Sequence, residues 1–161
     1  MRFHLVDRID AYSPGQWVRA RKLTSVSEEL WIGTASDAIM PGPLVLEALC
    51  QAGSWLVVAS TEGRKRAALL QIEWVSFLDV VRPGDVLELH GEVNSMSEEI
   101  AVLSGSVCVG ERLVLEAADI MCALIDAGDL EGPDGTARMR DQLIRPDALV
   151  RQEVLVRQDA L

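Results

Sequence analysis

Positive charge is scarce in this chain: 15 Lys and Arg stand against 25 Asp and Glu, leaving a formal charge of -10 and a pI near 4.6. That balance excludes a nucleic-acid partner held through its phosphates and speaks against an anionic membrane surface, because both require a basic face. Cysteine is scarce too. Cys50, Cys108 and Cys122 are odd in number, widely spread and set in apolar sequence, which fits buried reduced thiols and not a disulfide framework or a zinc site. No uninterrupted apolar run approaches the roughly 20 residues that cross a bilayer. Charge arrives at Arg2 and Asp7, too early for the apolar stretch of a secretion signal, so the chain is expected to work in the cytoplasm.

What is present is a core-forming sequence. Of 161 residues, 49% are hydrophobic and 25% charged, which is ordinary for one globular domain that needs neither metal nor disulfide to fold. The turn signal Ser13-Pro14-Gly15 precedes a strand over Trp17 to Thr24. Pro41-Gly42-Pro43 opens a helix running from Leu44 to about Ser60, apolar nearly all round and therefore buried. Four strands follow, over Ala68–Phe77, Asp85–Asn94, Ile100–Val109 and Leu113–Leu124, separated by turn residues at Arg82-Pro83-Gly84-Asp85, at 94–99 and at Gly110-Glu111-Arg112. Alternation in the second of these puts Leu87, Leu89 and Gly91 on a buried face and Glu88, His90 and Glu92 on a wet one. A buried helix followed by an antiparallel meander is an α+β layout. After Asp126 the sequence becomes linker-like, so the domain is expected to span 1–126. Residues 127–161 form a linker and tail, with a short repeat at Leu149-Val150-Arg151-Gln152 and Leu155-Val156-Arg157-Gln158 and room for a short helix.

The stretch Ile39-Met40-Pro41-Gly42-Pro43-Leu44-Val45-Leu46-Glu47-Ala48-Leu49-Cys50-Gln51 resembles the signature of FabZ/FabA-type (3R)-3-hydroxyacyl-acyl-carrier-protein dehydratases. Leu5-Val6-Asp7-Arg8, the segment Phe77 to Asp85 and the strand ending Ile120-Met121-Cys122-Ala123-Leu124 are similar to that family in the same order, so the resemblance covers about the first 125 residues. It implies a hotdog fold, a bent antiparallel sheet wrapped around one long helix, with two units joined into a continuous dimer sheet. It also implies an acyl-carrier-protein or CoA thioester as substrate, no cofactor or metal, and a place in fatty-acid or polyketide synthesis. An acidic carrier protein docking on this acidic chain needs a local basic patch, for which Arg19, Arg21, Lys22, Arg64, Lys65 and Arg66 are the candidates.

In the family, a histidine from one subunit and the helix carboxylate from the other remove water from the substrate. The carboxylate carries over to Glu47 as acid and base; Met40, Gly42, Leu44 and Gln51 carry over to the substrate side. The histidine does not carry over. Gly33-Thr34-Ala35-Ser36-Asp37-Ala38 replaces the family's Gly-His-Phe-Pro-Gly-x-Pro, one residue shorter, with Thr34 in the histidine's place. A threonine hydroxyl cannot accept a proton at neutral pH. Asp37, a carboxylate in the same altered loop, is the stand-in base with the most suitable chemistry; His4 and His90 are the chain's only imidazoles. Pro43 departs from the pattern as well, because proline removes one N–H donor from the helix start. The expectation is therefore a dehydratase-family protein with weakened or lost dehydration. Two alternatives stand beside it: a non-catalytic partner that pairs with a His-bearing relative, and a hotdog thioesterase that uses Glu47 on water or on the thioester.

Overall fold

The computed structural model describes residues 3–34, 36–130 and 133–150. Strands β1 (Arg8–Ser13), β2 (Trp17–Leu23), β3 (Lys65–Phe77), β4 (Val86–Met96), β5 (Ile100–Val109) and β6 (Arg112–Asp126) form one antiparallel sheet in the order β1-β2-β4-β5-β6-β3. Helix α1 (Gly42–Ser60) leaves β2 and packs against all six strands. A sheet that meets a single helix along every strand must curve round it, and this is the hotdog arrangement.

The local sequence explains each piece. Gly15 takes φ 70° in the turn between β1 and β2, a left-handed conformation that glycine adopts without steric cost, and Gln16 N–H closes that turn on Ser13 O at 3.0 Å. In β4 the alternation holds: Leu87, Leu89 and Gly91 are buried against the helix, while Glu88 and Glu92 face water beside half-buried His90. In α1, Val45, Ala48, Leu49, Ala52, Leu56 and Val57 make the stripe at three- and four-residue spacing that enters the core. Each fully buried Leu or Val there contributes about 1.5–3 kcal/mol. By length and composition this 19-residue helix could cross a bilayer, yet its apolar stripe is spent on the sheet.

Two glycines set how closely helix and sheet approach. Gly91 and Gly105 pair across β4 and β5, and a Cβ on Gly105 would meet Leu49 Cδ1 at 2.9 Å as well as the His90 carbonyl. The missing side chain at Gly105 leaves the room that Leu49 occupies.

One feature of the expected meander is corrected. β3 does not pair with β4; it crosses to the far side and pairs with β6, from Lys65↔Asp126 to Phe77↔Leu115. The connection after β3 is too long for a tight hairpin, and it runs over the end of the sheet, tied by Leu78 N–H to Val114 O at 2.9 Å. The tail also does more than leave the domain. Helix α2 (Pro133–Leu143) leads to residues 144–150, which lie along β1, with Tyr12 N–H on Ala148 O at 2.8 Å and Val150 N–H on Tyr12 O at 2.9 Å. Ala148 is fully buried. The outer edge of β1 is thereby covered, whereas β3 at the opposite edge leaves Leu69, Leu70, Trp74 and Phe77 about half exposed. Most of the short tail repeat lies outside the described residues.

Candidate functional site

The segment from β2 to α1 positions the residues singled out by sequence. Lys22 at the end of β2 is almost wholly buried; its Nζ donates to Glu28 Oε1 at 2.8 Å and to Leu23 O at 3.0 Å, pinning the loop that follows. Ile32 and Ile39 exchange backbone hydrogen bonds of 3.0 and 2.9 Å, which closes a small loop between them. Inside that loop the Thr34 N–H donates to Asp37 Oδ1 at 2.7 Å, the Thr34 hydroxyl donates to the same oxygen, and Asp37 N–H returns to Thr34 O at 3.1 Å. The Thr34 hydroxyl, then its N–H, hold the Asp37 carboxyl below the usual carboxylate range. Thr34 and Asp37 are thus each other's partners in an exposed turn, and a carboxylate so satisfied is a poorer base than a free one.

The helix entry is built on close contacts. Met40 is buried, and its N–H donates to Val81 O at 2.9 Å, so it supports the turn from the core side. Gly42 is needed because the Phe77 ring lies against it: an added Cβ would sit 2.8 Å from Phe77 Cδ1. Pro41 occupies the N-cap and provides no side-chain cap. Leu44 N–H is already committed to Pro41 O at 2.9 Å, and Pro43 has none to give. Gly42 N–H has no partner among the described residues, which leaves it as the backbone donor at this helix start.

Glu47 stands one turn further along, half-buried on the face of α1 that turns away from the core stripe. Its Oε1 accepts a hydrogen bond of 2.8 Å from Gln51 Nε2. Gln51 in turn bridges the N-terminal segment: Nε2 donates to Phe3 O at 3.2 Å and Oε1 accepts from Leu5 N–H at 2.8 Å. A side chain expected only to line the substrate region is therefore also the link between the chain's beginning and the helix carboxylate. The four-residue spacing made the Glu47 contact legible in the sequence; the partners at Phe3 and Leu5, more than 40 residues away, left no local signal.

Behind this pair Leu49, Cys50, Gly53, Leu103, Ile120 and Cys122 enclose a cavity of about 30 Å³. Burial pushes the Cys50 thiol up to about 12, with the nearby Glu47 charge and Cys122 adding to the effect, and burial raises Cys122 too. Nucleophilic thiol chemistry needs the thiolate, so these cysteines are packing groups. His90 sits on the side of β4 away from the helix, 3.7 Å from Glu92. His4 is exposed and shares a surface groove with Gln51. Trp55 and Ser54 line the same groove, whereas Trp74 lies on the uncovered β3 edge. Among the described residues, no group of three or more His, Cys, Asp or Glu could hold a metal ion.

Most of the basic residues proposed as a docking patch are spoken for. Arg21 pairs with Asp10 at 2.6 Å, Lys22 with Glu28 and Lys65 with Asp126 at 3.0 Å, while Arg19 lies over the Trp17 ring at 5.4 Å.

Comparison with known proteins agrees with this geometry. Residues 1–118 match the family model described as a FabA-like domain. A 3-hydroxyacyl-[acyl-carrier-protein] dehydratase FabZ of Pediococcus pentosaceus is 36% identical over 114 residues, covering 70% of this chain and 76% of its own. The protein of the same name from Oleidesulfovibrio alaskensis is 36% identical over 132 residues, covering 80% and 85%. Among solved structures, a hypothetical thioesterase of Streptococcus pneumoniae with coenzyme A superposes with a TM-score of 0.55 at 23% identity, over 72% of this chain and 84% of that one. A Streptococcus mutans protein bound to acetyl CoA superposes at 0.59 and 18% identity, over 76% and 91%. At those identities the two structures speak for the fold alone.

Proposed function

Because this chain belongs to the FabA-like family, we propose that it handles acyl thioesters carried on an acyl carrier protein or on CoA, in the cytoplasm, with Glu47 as its acid–base group. The observation that carries this reading is the Glu47 carboxylate, half-buried near the helix start and oriented by Gln51. Dehydration of a 3-hydroxyacyl thioester breaks the C2–H and C3–O bonds, forms the C2=C3 double bond and releases water. Glu47 supplies the proton that lets the C3 hydroxyl leave, and Gly42 N–H faces the developing negative charge on the thioester carbonyl.

The step this chain serves poorly is removal of the C2 proton. Thr34 has no basic lone pair, and its hydroxyl is spent on Asp37. Loss of a positioned base costs on the order of 10²–10⁴ in rate. A slow dehydratase follows, whether the second half of the site comes from another copy or not.

A specific observation supports a second reading, a partner subunit for a His-bearing relative. β3 presents 13 residues of unpaired strand edge, with Leu69, Leu70, Trp74 and Phe77 uncovered, and such an edge is a template for a further strand. A related chain paired there would bring its own histidine toward Glu47.

The test is an acyl-thioester panel assayed for both enoyl product and free thiol, with the wild-type chain and Glu47→Gln. Slow enoyl formation that disappears in Glu47→Gln supports the dehydratase reading. Thiol release lost in the same variant assigns hydrolysis instead, and activity that survives it removes Glu47 from the chemistry. Enoyl formation that appears only on mixing with a His-bearing FabZ chain whose own helix carboxylate has been replaced by its amide assigns the partner role.

A further inference from the structure

Arg66, near the start of β3, carries a side-chain donor that the fold buries without a partner. Its Nε is buried with no hydrogen-bond partner, and its guanidinium makes no ion pair among the described residues. A buried donor left unsatisfied costs about 1–3 kcal/mol, so packing alone does not account for it. Its neighbours in sequence do not share this state: Lys65 is paired with Asp126, and Arg64 is exposed.

Arg66 borders a groove of about 330 Å³ that reaches Gln51, whose side chain donates to Glu47. On the helix side the wall is Gln51, Ser54, Trp55 and Val58, one stripe at spacings of three and four residues. With Glu47 one turn before Gln51, the stripe extends roughly 16 Å along the axis at about 1.5 Å per residue. Leu130 and Thr136 close the opposite side. Both lie beyond residue 118, where the match to the family model ends. Past Arg66 a smaller cavity of about 130 Å³ holds Glu62 and Arg140. Glu62 makes no salt bridge to Arg66 among the described residues, and Arg140 is turned to Asp141 at 2.9 Å. Among the described residues the groove lining carries Arg66 and His4 and no carboxylate, in a chain whose net charge is -10.

We infer that this groove takes an arm of the thioester ligand that ends in an oxyanion, with the Arg66 guanidinium as its anchor and the thioester held at Glu47. The inference rests on the acyl-thioester reading above. The planar fork of a guanidinium matches the oxygens of a carboxylate or a phosphate. The mixed wall of Ser54, Gln51 and Thr136 with Trp55, Val58 and Leu130 suits an arm that carries both methylenes and polar groups. Two ligand parts have that chemistry and about that reach: an acyl chain with a terminal carboxylate, and the phosphate-bearing pantetheine arm.

Calorimetric titration of the full chain, wild type, Arg66→Gln and Arg66→Lys, separates the cases. The probes are tetradecanoyl-pantetheine, which has no anion, tetradecanedioyl-pantetheine, whose chain of the same length ends in a carboxylate, and tetradecanoyl-4′-phosphopantetheine. At least one anionic probe binds wild type tenfold or more tighter than tetradecanoyl-pantetheine. Arg66→Gln removes that advantage and leaves tetradecanoyl-pantetheine unchanged, which also shows that the variant is folded; Arg66→Lys keeps part of it. Preference for the tetradecanedioyl probe assigns a carboxylated acyl chain, and preference for the phosphorylated one assigns the carrier arm. Equal binding of all three probes to wild type, or a preference that persists in Arg66→Gln, overturns the role of Arg66 while the acyl-thioester reading stands. Failure of wild type to bind any of the three overturns both.

Discussion

Gln51 Nε2 donates to Glu47 Oε1 at 2.8 Å while the same side chain bridges Phe3 O and Leu5 N–H, so the helix carboxylate is oriented from the first residues of the chain. Gln51→Leu removes all three bonds without changing the helix. Turnover on acyl thioesters is expected to fall by roughly tenfold, in line with about 1–3 kcal/mol for buried partners left unsatisfied. Leu5 N–H should exchange faster with solvent in the same variant; unchanged exchange would show that the N-terminal segment is held by other contacts.

Thr34→His tests the proposal that this position is where the chain lacks a catalytic imidazole. If the missing base limits dehydration, enoyl formation should rise by about 10²-fold or more, against the 10²–10⁴ that general base catalysis provides. The Thr34 N–H to Asp37 survives the change, so the loop keeps one of its clamps. A variant that folds, binds thioesters and shows no gain would mean that Thr34 does not face the substrate.

The paired thiols behind the helix make a pH prediction. Cys50 has its folded pKa raised to about 12, above the roughly 8.5 of an unfolded cysteine. A raised pKa means that the unfolded chain loses this proton first on going alkaline. The stabilisation is whole below about pH 8.5 and drains away as pH rises toward 12. Cys50→Ala should flatten that alkaline decline in chemical denaturation. Alkylation at pH 8 should leave Cys50 and Cys122 unmodified until the protein is unfolded.

Gly105→Ala tests how closely α1 lies on the sheet. The added methyl meets the His90 carbonyl, which is backbone and cannot swing aside, and Leu49 Cδ1 at 2.9 Å. Overpacking of this kind costs on the order of 3 kcal/mol, seen as a lowered Tm. Gly110→Ala, with open space around its Cβ but φ at 58°, should cost less.

The uncovered edge of β3 predicts association. Trp74→Lys puts a charge among Leu69, Leu70 and Phe77, where apolar side chains are about half exposed. Sedimentation should show the wild-type chain as a dimer or larger and the variant shifted toward monomer. A monomeric wild type would leave this edge to a different, related chain.

Much of the architecture was legible because periodicity is local. The helix opening at Pro41-Gly42-Pro43, the alternation in β4 and the strand over Ile100–Val109 follow from spacing that any short window reveals. The place of β3 was not legible. Its own residues fit a strand equally well beside β4 or β6, and the choice depends on a connection that crosses the end of the sheet. In the site, Glu47 and its four-residue partner could be read from the helix, whereas the mutual clamp of Thr34 and Asp37 appears only when the Ile32 and Ile39 backbones pair and close the loop.

By itself the sequence determined the fold class, the helix that carries a carboxylate and the family to which the chain belongs, because apolar period and turn chemistry act within a few residues. Only the tertiary structure decided which donors at the helix start are free, that Gln51 ties Glu47 to the N-terminal segment, and that the Arg66 Nε is buried without a partner. Hydrogen bonds and ion pairs are made between groups brought together by the sheet, and their energy depends on distances that no stretch of sequence contains.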